Sequence, residues 1–241
     1  MKRVLLILVL LIPQSLSGQT LTVTLKKTFW PDGHGKVLIG EKAITYEASK
    51  KDESRTWEYP DIQHFDRISP KEFVILTYED RRLALGRDRQ FHFVITEGEL
   101  DDELFDAITA RLRKPVTDRV IPAQVAAEYS VPAKHLHTFG GCEGVLKFTR
   151  DTIYYVTDHR DDAREWKLGR DVQSVWSADP YQLEIHAYDN NRREFSRTRV
   201  YNFQLKEALS QDFYRNLKLE IYGLEAARRD SNQTDGVSMK K

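Results

Sequence analysis

A single cysteine among 241 residues leaves the chain no internal disulfide. It has no excess of either charge: Lys and Arg total 37, and Asp and Glu total 37. Polyanion binders normally carry a basic excess, so this balance argues against nucleic acid as a partner. No apolar run reaches the ~20 residues of a membrane-spanning helix. Twelve glycines and eight prolines are too few for a collagenous or low-complexity chain. What remains is a globular composition, 40% apolar and 31% charged, long enough for one or two domains.

Residues 1–18 stand apart. Lys2 and Arg3 precede the apolar run Val4–Ile12, and Pro13, Ser15, Ser17 and Gly18 follow it. This is the pattern of a secretory signal peptide. Leu16-Ser17-Gly18-Gln19 is similar to a bacterial lipoprotein box, but Gln19 stands where the acylated cysteine belongs. The expectation is therefore a soluble exported protein, periplasmic or extracellular. Removal of the leader leaves 35 basic and 37 acidic residues, a net charge of −2.

The strongest signal is an internal repeat. At a spacing of 109, Gly35 matches Gly144, Ile44 matches Ile153, Tyr46 matches Tyr155, and Arg55 and Trp57 match Arg164 and Trp166. At 110, Asp61, Pro70, Ile75 and Tyr78 match Asp171, Pro180, Ile185 and Tyr188, and Phe91 and Phe93 match Tyr201 and Phe203. The spacing returns to 109 for Leu100, Leu104, Ile108 and Leu112 against Leu209, Phe213, Leu217 and Ile221. A period this long is one domain written twice, not a solenoid.

Within each copy, period-two alternation predicts short half-buried strands. In the first copy they fall at 36–39, 43–48, 55–59, 63–68, 72–78, 82–85 and 90–95, with 20–25 as an additional strand. Leu100, Leu104, Ile108 and Leu112 recur every four residues, which predicts a closing helix. Acidic Asp101–Glu103 suits its start, and Pro115 its end.

Seven strands followed by one helix, with the Gly-x-Leu, Ile-x-Tyr, Arg-x-Trp, Asp-Ile and Phe-x-Ile pattern, resembles the pleckstrin-homology-like (PH-like) fold. The chain is also similar to uncharacterised tandem proteins of this kind exported by bacteria. The resemblance implies a mainly β protein with α: two seven-stranded antiparallel β-sandwich or barrel domains, each capped by a C-terminal helix. The expected division is a signal peptide over 1–18, domain 1 over 19–113, a Pro-punctuated linker over 114–134 with one helical turn near Ala123–Glu128, domain 2 over 135–222, and a disordered polar tail over 223–241.

His135, His137 and Cys142 form the one cluster with metal-ligand chemistry, suited to zinc or copper. His135 and His137 are two apart, so on a strand they share a side. The competing reading makes the histidines a surface segment and Cys142 a small core residue. Asp158, Asp161, Asp162 and Glu165 lack the spacing of a calcium loop and read as a solvated turn. Arg192, Arg193, Arg197 and Arg199 are interspersed with acids and read as a charged hairpin rather than a nucleic-acid surface. The loops at Gly40–Lys42 and Thr149–Asp151 are short and charge-balanced, so no inositol-lipid binding is expected. Trp57 and Trp166 read as core. Trp30 and Trp176 lack counterparts and are candidate partner contacts.

No catalytic motif appears: there is no Gly-x-Ser-x-Gly, no His-Glu-x-x-His, no phosphate loop and no dinucleotide fingerprint. The expectation is a non-enzymatic envelope module binding a protein or peptide, without a cofactor. A metal- or small-ligand-binding protein is the alternative, and a hydrolase the third.

Overall fold

The computed structural model describes residues 19–80, 88–159, 161–189 and 198–238. The expected leader, the strand expected at 82–85, and Arg192, Arg193 and Arg197 lie outside the described residues. The chain is mainly β: the described residues form fifteen strands in one continuous hydrogen-bonded order and two α-helices.

The first half holds β1 (Gln19–Lys26), β2 (Gly33–Ile39), β3 (Ala43–Ala48), β4 (Arg55–Glu58), β5 (Ile62–Ser69), β6 (Glu72–Asp80), β7 (Asp88–Glu97) and helix α1 (Asp102–Leu112). A two-residue strand, β8 (Thr117–Asp118), follows. The second half holds β9 (Tyr129–Leu136), β10 (Gly141–Phe148), β11 (Thr152–Val156), β12 (Arg164–Lys167), β13 (Val172–Trp176), β14 (Gln182–Tyr188), β15 (Thr198–Leu205) and helix α2 (Gln211–Ser238). The strand order is 4-3-2-1-7-6-5 in the first half and 12-11-10-9-15-14-13 in the second. One order is the other with each strand replaced by its repeat counterpart.

Alternation builds a core in each half. Leu21, Val23, Val37, Ile44, Tyr46, Trp57, Phe73, Ile75 and Phe93 point inward in the first. Val131, Ala133, Leu146, Ile153, Tyr155, Trp166, Leu183, Ile185 and Phe203 do so in the second. The helices complete these cores with Leu104, Phe105, Ile108 and Leu112 from α1, and Leu217 and Ile221 from α2. Asp101 caps α1 by accepting from the Leu104 N–H at 2.8 Å, and Arg113 ends it in the left-handed region at φ 51°.

Three expectations need correction. The segment 20–25 is not an addition: it lies in β1, which pairs with both β2 and β7 and is one of the seven strands. The range read as a linker contains β8 and most of β9, and residues 123–128 form no helix. The prolines concealed β9, yet Pro132 is tolerated because β15 pairs only with residues 133–135 of that strand. The tail read as disordered continues α2 to Ser238.

Strand β8 sews the halves together. It runs parallel to β5 and antiparallel to β12. Arg67 donates from Nε to Asp118 Oδ1 at 2.9 Å and from Nη2 to Oδ2 at 2.5 Å, with both residues buried. Thr117 donates to Asp189 Oδ1 at 2.7 Å and lies 2.8 Å from His64 Nε2. The join is polar and satisfied by directed bonds, as burial of such groups requires.

Candidate functional site

The two copies share a strand order, and their side-chain chemistry diverges at one matched position. Strand pairing fixes the equivalence. Leu25 faces Gly33 and Phe93 in the first half; His135 faces Cys142 and Phe203 in the second. His135 therefore replaces Leu25, and Cys142 replaces Gly33. One step past the strand, His137 replaces Lys27. At the repeat spacing, Asp162 replaces Glu53.

In the first half this position holds an ion pair, Lys27 Nζ to Glu53 Oε2 at 2.8 Å. In the second it holds three convergent donor atoms. His137 Nε2 lies 2.5 Å from Asp162 Oδ2, His135 Nδ1 lies 3.4 Å from the same oxygen, and the two ring nitrogens are 3.1 Å apart. Asp162 Oδ2 is buried, and no hydrogen-bond donor is directed at it. The histidine reading as a surface segment fails for His135, which is 4% exposed and packs against Tyr155, Tyr201 and Phe203.

The local electrostatics keep these groups in a coordinating form. Burial is the main cause that pushes the His135 imidazolium down to a pKa of about 4, so the ring is neutral. Burial works to raise the Asp162 carboxyl, but the Cys142 thiol, His135 and His137 outweigh it and hold it below the usual range. The Cys142 thiol is pushed up to about 11, chiefly by its hydrogen bond to Asp162. It is half-buried, and the Cys142 carbonyl accepts from Tyr155 Oη at 2.6 Å. Cys142 is not one of the three convergent donors. Asp162, read from sequence as part of a solvated turn, is the residue that reading missed. Its signal was the repeat itself, which pairs it with Glu53.

The cluster opens onto a surface cleft of about 540 Å³ lined by His135, His137, Asp162, Arg199 and Asn202 among others. Trp30 and Trp176 are exposed, at 77% and 49%. Trp30 lies in the β1–β2 turn beside Phe29, which is 87% exposed. The repeat spacing of β1 and β9 matches Phe29 with Phe139, which is 94% exposed in the β9–β10 turn. The sequence reading missed this matched pair of aromatic tips. Trp176 sits at the end of β13.

No protein-family model matches the chain. No curated protein matches it either. Among solved structures it is similar to a chain described as "Structure of the Spt16D Pob3N heterodimer", at 10% identity, over 79% of this chain and 97% of that one, with a TM-score of 0.31. A score that low carries no argument about function. Among the described residues, no helix is long and apolar enough to cross a membrane.

Proposed function

We propose that the chain is a non-enzymatic binding module of the bacterial envelope, exported through residues 1–18, built from two PH-like units and engaging an extended protein or peptide segment. The repeated strand order and the closing helix in each half support the PH-like reading.

One observation carries the binding reading. Each half ends in two outer strands, β4 and β5 in the first, β12 and β13 in the second. The extended residues Thr117–Asp118 already pair with β5 and β12. Their repeat counterparts, β13 and β4, each pair with a single strand among the described residues. An extended segment of this chain thus occupies two of these edge positions, and among the described residues the equivalent edges carry no second strand, which supports the reading. Addition of a strand from a partner is the corresponding binding mode, with main-chain hydrogen bonds giving affinity and side-chain contacts giving specificity. Exposed Trp176 on β13 supplies an aromatic contact of the kind enriched at interfaces.

The test is affinity capture from envelope extracts with the mature chain as bait, beside Trp176→Arg as a second bait. We expect a specific partner on the first and its loss on the second, at unchanged thermal midpoint. Equal capture by both, or nothing above background, would overturn this mode.

A further inference from the structure

We infer that the second half binds one divalent transition-metal ion through His135 Nδ1, His137 Nε2 and Asp162 Oδ2. This inference is independent of the partner proposed above.

The donor geometry carries it. Zinc binds nitrogen and oxygen donors at about 2.0–2.2 Å. Donors around a tetrahedral ion at that range stand about 3.4 Å apart. The three separations here are 3.1, 3.4 and 2.5 Å. Two already fit, and the third is met by opening the His137–Asp162 contact by roughly 1 Å. His137 sits just past the end of β9 and Asp162 in the turn before β12, so both can yield without disturbing a strand.

Burial and pairing point the same way. A carboxylate oxygen withdrawn from water normally has a hydrogen-bond donor, and Asp162 Oδ2 has none directed at it while facing two imidazole nitrogens. A cation among the three atoms would satisfy all of them. Buried charges are stable when paired or coordinated to metal.

The repeat supplies an internal control. The first half solves the same position with Leu25 and the Lys27–Glu53 ion pair, so the fold does not require a histidine there. The ligand set belongs to the second copy alone. Two imidazoles and a carboxylate suit zinc and its neighbours better than calcium or magnesium, which take oxygen ligands. The cleft leaves the remaining coordination positions to water or a small ligand.

Zinc titration of the metal-stripped mature protein by calorimetry tests this. We expect one ion per chain, weakened at least ~10-fold by His137→Ala and by Asp162→Asn, with Glu53→Gln in the first half without effect. His137 is half-exposed, so its alanine variant should fold even if the Asp162 variant does not. Saturable zinc binding indifferent to His137→Ala would overturn the assignment, as would no binding. Affinity lost in Cys142→Ser but kept in Asp162→Asn would overturn this ligand set.

Discussion

Glu165 lies at the seam between the halves, on β12 opposite Asp118, and it is buried. Burial first, and the Asp118 carboxylate second, lift its carboxyl from an ordinary 4.5 to about 7. The folded protein therefore disfavours the ionised form. The associated stability is fully present below pH 4.5 and is lost as pH rises through 7. A shift of this size corresponds to a few kcal/mol, on the order of 3. We expect Glu165→Gln to lose less stability than the parent between pH 4.5 and 7, read as thermal midpoints across a pH series. Parallel curves would contradict this account of Glu165. The same scale shows what one sequence can hide. His135 and His137 were legible as ligand chemistry because they are close in the chain. Asp162 was not, because a turn of alternating charge looks solvated, and only its match to Glu53 marks it as inward-facing. Cys142 was legible as a candidate beside them, but the convergent set holds Asp162 in its place, a choice made by contacts that spacing does not encode.

At the scale of elements, period-two alternation revealed most of the strands, and period-four spacing revealed α1. It failed where composition opposed the fold. Pro132 disguised β9, although its missing N–H falls outside the stretch paired with β15. The polar end of α2 has too little apolar surface to signal a helix, and the first turns of that helix hold it through Leu217 and Ile221. Strand β8 is two residues long, too short for any period, yet it carries the buried Arg67–Asp118 pair. Removing Asp118 takes two charged hydrogen bonds from buried Arg67 and leaves it the 2.7 Å bond to exposed Asp102, which puts the cost at the low end of the about 3–5 kcal/mol for breaking a buried pair. We expect Asp118→Ala to lower the unfolding free energy by that amount in urea titration. A loss under about 1 kcal/mol would mean that water already screens the pair. Trp166, the repeat counterpart of Trp57, packs on Tyr201 and Phe203. Trp166→Ala should cost about 3–5 kcal/mol, measured in the same way.

For the whole molecule, the repeat was readable because matched apolar positions keep a spacing of 109 or 110 over both copies, while the manner of joining was not. The join depends on β8, on Thr117 with Asp189, on Arg119 Nη2 donating to Asp66 at 2.6 Å, and on Lys167 with Asp106 at 3.2 Å. These bonds tie two separate cores, so the parent should unfold in one calorimetric transition and Asp118→Ala in two. Two transitions in the parent would show that the seam does not couple the cores. The two copies diverge at one position: the first keeps a salt bridge where the second brings together the two histidines and the carboxylate inferred to bind a metal. Anomalous scattering at the zinc edge, from crystals of the protein grown with zinc, tests it most directly. The account predicts a peak about 2.1 Å from His135 Nδ1, His137 Nε2 and Asp162 Oδ2, with none beside Leu25, Lys27 and Glu53. A structure with no zinc peak among the three donors, or with equal peaks in both halves, would contradict it.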